Sequence, residues 1–265
     1  MNFGLIIVGD EILSGKRQDK HLPKVIELLA ARGLALAWAR YVGDDRPRIT
    51  EAIAHALASG DVVFSCGGIG ATPDDHTRQC AAAALGLPLV LHPQARDLIH
   101  QRMREVAAEQ GQPFKPERPD NLHRLNMGMF PDGAALIPNP YNRIPGFSVA
   151  ASHFVPGFPV MAWPMIEWVL DTHYRPLFGQ RVQRERSVIV YGSMEATLTP
   201  LMEDVEQRFA DVRVFSLPCV DEQHVHGRHI ELGVKGPAEV VEEAFVVLRQ
   251  GLDALHSRCG PELVR

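Results

Sequence analysis

The sequence predicts an α/β protein: a three-layer α/β/α domain on a mostly parallel sheet, followed by a small α+β domain. Three observations carry this. Strand-like and helix-like segments alternate through the first half, the strand segments are short unbroken apolar runs, and those runs end in clusters of glycine and aspartate. Unbroken apolar runs suit strands covered on both faces. A β-α-β-α-β-α order folds into a parallel sheet with helices on either side.

Residues 3–8 form the first such run. Residues 20–32 follow with helical spacing of Leu22, Val25, Ile26 and Leu29, and Gly33 is placed to end the helix. Residues 34–42 read as the second strand. Asp44 or Asp45 can cap the next helix, with Pro47 in its first turn and Ile49, Ile53, Ala56 and Leu57 on its apolar face. Residues 61–66 are a third buried strand, running into glycines and then an alanine-rich helix over 77–85, closed by Gly86. A further helix is expected over 93–110, a proline- and charge-rich loop over 111–120, and short strands at 136–137 and 152–155. Residues 159–174 read as a helix with Pro164 as a weak point. The polar, basic stretch 174–186 reads as a linker, so the domains are expected at 1–175 and 187–265. In the second, strands at 187–191, 212–217 and 228–235 and helices at 194–209 and 237–255 are expected.

The 265 residues are 46% apolar and 22% charged, enough for a sizeable core and too apolar for a disordered chain. With a formal net charge of −5 and no long basic block, nucleic acid is not an expected partner. The most apolar stretch, 147–170, contains Pro156, Pro159, Pro164, His153 and Glu167 and does not read as a membrane span. The N-terminus lacks a basic leader and reads as a strand, not a signal peptide. Cys66, Cys80, Cys219 and Cys259 are scattered without a CxxC pair. That argues against a structural zinc site or a disulfide framework and fits a cytoplasmic location.

The sharpest motif is Gly67-Gly68-Ile69-Gly70-Ala71-Thr72-Pro73-Asp74-Asp75-His76-Thr77. Glycines at a strand's carboxyl end let a ligand approach the backbone, and the following helix start favours phosphate. Thr72 and Thr77 add hydroxyls. Two adjacent carboxylates conflict with a bare phosphate cradle, since like charges ~4 Å apart cost on the order of 4 kcal/mol at an effective dielectric of ~20. A divalent cation, Mg²⁺ first, held by Asp74 and Asp75 resolves the conflict; the alternative is that one Asp caps the helix. A second cluster, Gly9-Asp10-Glu11-Ile12-Leu13-Ser14-Gly15, ends the first strand. Asp10 and Glu11 can add metal ligands, and Ser14 and Gly15 can touch phosphate; a plain capped turn is the alternative. A third, Gly43-Asp44-Asp45, ends the second strand, where capping is the simpler reading.

These segments closely resemble the signatures of the MoaB/Mog molybdopterin-binding domain family, in its branch of CinA-type competence/damage-inducible proteins and the front domain of some FAD synthases. Val42-Gly43-Asp44-Asp45 with Ile49 is similar to the family's segment after its second strand. Asn139-Pro140-Tyr141-Asn142-Arg143-Ile144-Pro145-Gly146 and Val155-Pro156-Gly157-Phe158-Pro159 resemble its later substrate-side loops. The likeness covers about residues 1–175, and residues 187 onward resemble the accessory domain of CinA-type proteins. The amidase domain of full-length CinA proteins is expected to be missing, because the sequence stops at Arg265. One departure is Gly70-Ala71-Thr72, where the family pattern has proline in the middle; this loosens the loop by less than ~1 kcal/mol.

The resemblance implies binding of a phosphorylated pterin or nucleotide. It maps the family's catalytic acids to Asp44 and Asp75, and it implies substrate contacts at Asn139, Pro140, Gly146 and Gly157. It favours cleavage of a nucleotide pyrophosphate such as ADP-ribose or FAD with Mg²⁺, Mn²⁺ or Co²⁺. On that reading Gly67, Gly68, Gly70 and Thr72 hold phosphate, Asp75, Asp74 and Asp10 hold the metal, and Asp44 orients water or ribose. A non-catalytic module for molybdopterin or nucleotide, and adenylyl transfer in molybdenum cofactor assembly, use the same loops. A homo-oligomer is expected, with a small-molecule ligand and no membrane partner.

Elsewhere, Glu222, His224, His226 and His229 form a His-rich stretch. His224 and His226 would share a strand face and could take a transition metal, but decoration of an exposed hairpin is the favoured reading. Cys66 reads as a small strand-end residue rather than a nucleophile, and Trp38, Trp163 and Trp168 as core or interface. Lys16, Arg17 and Lys20 read equally as solvated helix start or phosphate contacts, and Asn121, Arg124 and Asn126 as candidate pocket lining.

Overall fold

In a computed structural model describing residues 1–179 and 183–265, the first strand, β1 (Phe3–Val8), is buried along its whole length. After it come α1 (Asp10–Leu13), α2 (His21–Ala30), β2 (Leu36–Val42), α3 (Arg46–Ser59), β3 (Val62–Cys66) and α4 (Thr77–Leu85). Then follow β4 (Leu89–Leu91), α5 (Pro93–Glu109), α6 (Pro119–Leu125), β5 (Met129–Pro131), β6 (Ala135–Ile137), β7 (Gly146–Val149), β8 (Ser152–Val155) and α7 (Pro159–His173). These lie in the first of two units, Met1–Phe178.

Side chains alternate across a strand, and β1 uses both faces. Phe3, Leu5 and Ile7 pack with Val25 and Leu29 of α2 and Met165, Ile166 and Val169 of α7. Ile6 and Val8 pack on the other side with Ile49 and Ile53 of α3 and Cys80 and Ala81 of α4. The result is three layers around a sheet ordered β2-β1-β3-β8-β7-β6. The pairings of β1 with β2, β1 with β3, and β3 with β8 are parallel. Those of β7 with β8 and β6 with β7 are antiparallel. The carboxyl ends of β1, β2, β3 and β8 therefore share one edge.

The expected strands and helices of the first half occur, with ends shifted by at most three residues. Asp45, not Asp44, caps α3, accepting from the Arg48 amide at 3.1 Å. Pro164 sits inside α7 without ending it. Three strands were not legible. β7 pairs with β8 through a two-residue turn at Ala150-Ala151, in which Ala150 takes φ +50°; the sequence lacks the glycine or asparagine that ordinarily marks such a turn. The short β4 and β5 pair only with each other. The loop expected over 111–120 gives way to α6 at Pro119, which places Asn121 and Arg124 on a helix.

The second unit, Gly179–Arg265, contains β9 (Gln183–Tyr191), α8 (Glu195–Arg208), β10 (Arg213–Cys219), β11 (His229–Pro237), α9 (Ala238–Ala254) and β12 (Arg258–Val264). The sheet order is β10-β11-β9-β12, antiparallel throughout. Val188, Val190, Leu232 and Val234 pack with Leu198 and Val205 of α8 and with Phe245 and Leu248 of α9. Part of the expected 174–186 linker belongs to β9, and residues 180–182 of it lie outside the described residues. Strand β12 was not anticipated. His224 and His226 lie in the turn after β10 and not on a strand, because pairing with β11 resumes only at His229.

His153 of β8 is 3% exposed. Its ring joins Ser148 Oγ at 2.8 Å to the Tyr174 hydroxyl at 2.7 Å. Burial, aided by His173, lowers its pKa to about 3. The folded protein thus keeps this imidazole neutral while the unfolded chain protonates it below about pH 6.5. Its contribution to stability is complete above that pH and is lost as pH falls toward 3, at up to about 1.4 kcal/mol per unit. Denaturant midpoints measured from pH 7 to 4 should therefore fall less steeply in His153→Gln than in the parent.

Candidate functional site

Parallel pairing places three acid-bearing loops at one sheet edge, and two of the acids, Asp10 and Asp44, meet directly. Asp10 follows β1 and Asp44 follows β2, and each carboxylate accepts the other's backbone amide. Asp44 Oδ2 accepts from Asp10 N–H at 2.9 Å, and Asp10 Oδ1 accepts from Asp44 N–H at 3.1 Å. After β3, Asp75 Oδ2 accepts from both the Thr72 amide at 2.9 Å and the Thr72 hydroxyl at 2.5 Å. Each of the three carboxylates spends one oxygen on loop geometry, while Asp10 Oδ2, Asp44 Oδ1 and Asp75 Oδ1 accept from no described residue. A Cβ at Gly43 would strike the Asp10 carboxylate and one at Gly70 the Asp75 carboxylate, so those glycines admit the acids to the backbone.

Burial raises the Asp44 carboxyl above its ordinary value, and the like charges of Asp10, Glu11 and Asp74 add to the shift against the Asp10 amide. The Thr72 hydroxyl also faces exposed Asp74 and holds it below the usual range. Among the described residues, Asp10, Glu11, Asp44, Asp74 and Asp75 form no ion pair, while neighbouring Asp45 pairs with Arg48 at 3.9 Å. Arg78 is the positive charge behind the loop. It is 2% exposed and donates to the Ile69 carbonyl at 2.7 Å. Burial lowers its pKa to about 10, against the pull of Asp75, so it stays charged at neutral pH.

The glycine loop divides into scaffold and open donors. Gly67 has φ +105°, and a Cβ there would run into the Val8 carbonyl. Its N–H donates to Val155 O at 3.0 Å, so it continues the sheet and is not a phosphate donor. The Thr77 hydroxyl, fully buried, donates to Gly67 O at 3.0 Å and braces the loop instead of meeting a ligand. Thr72 is likewise committed to Asp75. The amides of Gly68, Ile69, Gly70 and Ala71 donate to no described residue. They are the loop's available anion donors.

The remaining expected contacts are placed as follows. Ser14 and Gly15 close the α1 turn, Ser14 N–H donating to Asp10 O and Gly15 N–H to Ile12 O, and both residues are exposed. Asn139, 4% exposed, spends its amide on Asn142 and Ile144 and its carbonyl on Tyr141 N–H; it shapes its own loop rather than reaching substrate. Pro140 is exposed beside it, on the depression also lined by Arg102, Glu105 and Tyr141. Gly146 is buried where a Cβ would meet the Phe154 carbonyl and Met165, which makes it a packing residue. Gly157 lies against Gly67 and takes His21 Nε2 on its carbonyl at 3.0 Å. Cys66 is buried and its thiol is pushed far up by desolvation, which rules out a thiolate.

Two residues escaped the sequence reading. Asp19 accepts from the His21 and Leu22 amides and from the Tyr41 hydroxyl at 2.8 Å, tying the α2 start to β2. An aspartate just before a helical run was the signal for it. Arg78 carries no comparable signal, since an arginine near a helix start ordinarily faces solvent.

A parallel sheet between two helical layers, with acid- and glycine-bearing loops at one edge, defines the class as a three-layer α/β/α domain. A family model described as "Probable molybdopterin binding domain" matches residues 4–176, and the chain belongs to that MoaB/Mog-type family. Several of the proteins it is similar to are described as CinA-like. One from Anaeromyxobacter dehalogenans is 33% identical over 185 residues, covering 68% of this chain and 43% of its own length. One from Geobacter sulfurreducens is 28% identical over 269 residues, covering 100% of this chain and 61% of its own length. The chain spans about half the length, or less, of the first curated relatives it matches. The crystal structure of CinA from Thermoplasma acidophilum, described as of unknown function, matches with TM-score 0.55 and 26% identity, covering 64% of this chain and 98% of that one. Among the described residues no helix is long and apolar enough to cross a membrane.

Crowded, unpaired carboxylates cost stability in the absence of a cation. Asp44→Asn keeps an oxygen for the Asp10 amide and removes a charge, so at pH 7 without divalent metal it should stabilise the fold by up to about 0.5 kcal/mol, the effect being reduced by solvent screening. Because folding raises the Asp44 pKa, the gain is present while Asp44 is ionised and vanishes as pH falls through that raised value. Thermal melts of both forms across pH 4 to 7 read the difference.

Proposed function

We propose that the chain is a divalent-metal-dependent nucleotide pyrophosphatase acting at the acidic edge of its first unit. The observation that carries the reading is the divided carboxylate: Asp10, Asp44 and Asp75 each fix one oxygen in the loop and leave the other without a partner among the described residues. Among the described residues no arginine or lysine forms an ion pair with these acids, and Arg78 acts on Asp75 only from behind the loop, which suits a hard cation with oxygen ligands such as Mg²⁺ or Mn²⁺. Asp10 and Asp75, with Asp74, would hold it after drawing together, since among the described residues their carboxylates do not lie at ligand-cluster spacing. A cation bound there supplies charge neutralisation at the phosphate oxygens and lowers the pKa of water.

The protein's own groups do the rest. The amides of Gly68 to Ala71 receive phosphate oxygens beside the acids, and Arg78 stabilises that anion from behind through the loop carbonyl it holds. Asp44, raised by burial and like charge, would orient the attacking water or the ribose and could accept the water's proton. Water adds across the P–O–P bridge, so ADP-ribose gives AMP and ribose 5-phosphate, and FAD gives AMP and FMN. Assembly as a homo-oligomer belongs to the same proposal.

The test incubates the chain with ADP-ribose or FAD and Mg²⁺, Mn²⁺ or Co²⁺ and measures AMP. Asp75→Asn retains an acceptor for Thr72, so the loop should persist while AMP release drops on the order of 100-fold or more. Intact substrate with every metal, alongside tight molybdopterin binding, would replace this reading with a binding module. ATP-dependent formation of adenylylated pterin would replace it with adenylyl transfer.

A further inference from the structure

The second unit holds another cluster, of different chemistry, at the hairpin between β10 and β11. Cys219 closes β10 and pairs directly with His229, the first residue of β11. The nine-residue turn over 220–228 folds back and carries His224 to the same place. One ligating atom from each of Cys219, His224 and His229 lies within 4.8 Å of the other two.

Several features go beyond proximity. His229 is 8% exposed and its Nδ1 lies 2.7 Å from the Gly227 carbonyl. A carbonyl accepts only from a protonated nitrogen, so Nδ1 carries the hydrogen and Nε2 keeps its lone pair. Metal-ligating histidines are oriented in this way by a carbonyl on the opposite nitrogen. The His224 ring stands 4.8 Å from the His229 ring, centroid to centroid; its Nδ1 accepts from the His226 amide at 3.2 Å, so metal binding releases that bond and takes the lone pair at Nδ1, or at Nε2 once the ring proton has moved to Nδ1. Cys219 is a free, half-buried thiol. Of the turn's two acids, Glu222 is drawn toward Arg228 at 3.9 Å and Asp221 accepts from the Gln223 amide at 2.8 Å, which leaves a sulfur-and-nitrogen donor set.

We propose that Cys219, His224 and His229 form a transition-metal site of the Zn²⁺ class, with water in the fourth tetrahedral position. Metal–sulfur and metal–nitrogen bonds of about 2.3 and 2.1 Å place tetrahedral ligand atoms roughly 3.5 Å apart. Closing from the present spacing needs about 1 Å of adjustment, which exposed His224 can supply from its turn. Thiolate and imidazole donors select Zn²⁺ or Co²⁺ over Mg²⁺, so this site does not compete for the hard cation of the first unit. Binding exchanges the Cys219 thiol proton for the metal, with no change of oxidation state. The metal would tie the hairpin mouth to its turn.

Cobalt(II) is the probe. The full chain, reduced and stripped by a chelator, is titrated with Co²⁺ and followed by absorption. The expected result is a thiolate-to-cobalt charge-transfer band with tetrahedral ligand-field bands, saturating at one equivalent and erased by Zn²⁺. Cys219→Ser should abolish the charge-transfer band, His224→Ala and His229→Ala should weaken binding at least about 10-fold, and Asp75→Asn should leave it unchanged. No thiolate band at saturation, or a band that survives in Cys219→Ser, overturns the proposal. A second measurement needs no variant: Zn²⁺ should slow alkylation of Cys219, read by peptide mass mapping, and leave Cys259 unaffected. Equal rates with and without Zn²⁺ overturn it as well.

Discussion

Covering β1 on both faces, with β2 and β3 running parallel on either side of it, is the constraint from which the functional edge follows. Once Phe3, Leu5 and Ile7 point to one helical layer and Ile6 and Val8 to the other, neither face of the sheet is open to a ligand. Parallel pairing then delivers the carboxyl ends of β1, β2, β3 and β8 to one rim. The loops after β1, β2 and β3 have nowhere else to meet, and each begins with glycine and carries an acid.

That meeting is electrostatically unfavourable by itself. Burial and three like charges raise the Asp44 carboxyl, and the crossed amide bonds with Asp10 offset only part of this. The fold tolerates the cost because the backbone holds one oxygen of each acid, which fixes the carboxylates without neutralising them. Beside them the buried Arg78 steadies the Ile69 carbonyl, and the Thr77 hydroxyl locks Gly67. The loop is therefore braced where it leaves the sheet, while its amides from Gly68 to Ala71 meet no acceptor among the described residues. Preorganised donors of this kind need little rearrangement when an anion arrives.

The two units carry donor sets of opposite character. Carboxylate oxygens gather in the first; a thiol and imidazoles gather in the second. If both take metals as proposed, ligand softness would keep them separate in the metals they bind. Each also arises from strand pairing: parallel strands in the first unit, and an antiparallel hairpin whose mouth sets Cys219 opposite His229 in the second.

Much of this was determined by sequence alone. The apolar runs of β1 and β3, the capped start of α3 and the glycine that closes α4 state their conformations locally, because burial on two faces, helix capping and left-handed glycine each leave a short signature. The acids at the strand ends were legible for the same reason. What stayed hidden depends on partners distant in the chain. The β7–β8 hairpin turns on alanines, and Thr77, Gly67 and Asn139 look like ligand donors until the structure shows their groups spent on the protein. Arg78 reads as a surface residue until the loop closes over it. Cys219 counted against a metal while it was measured by its spacing to other cysteines; only strand register set it beside two histidines. Local sequence determines what each segment becomes, and tertiary structure decides which polar groups are left unpaired, since that depends on what every other segment has already satisfied.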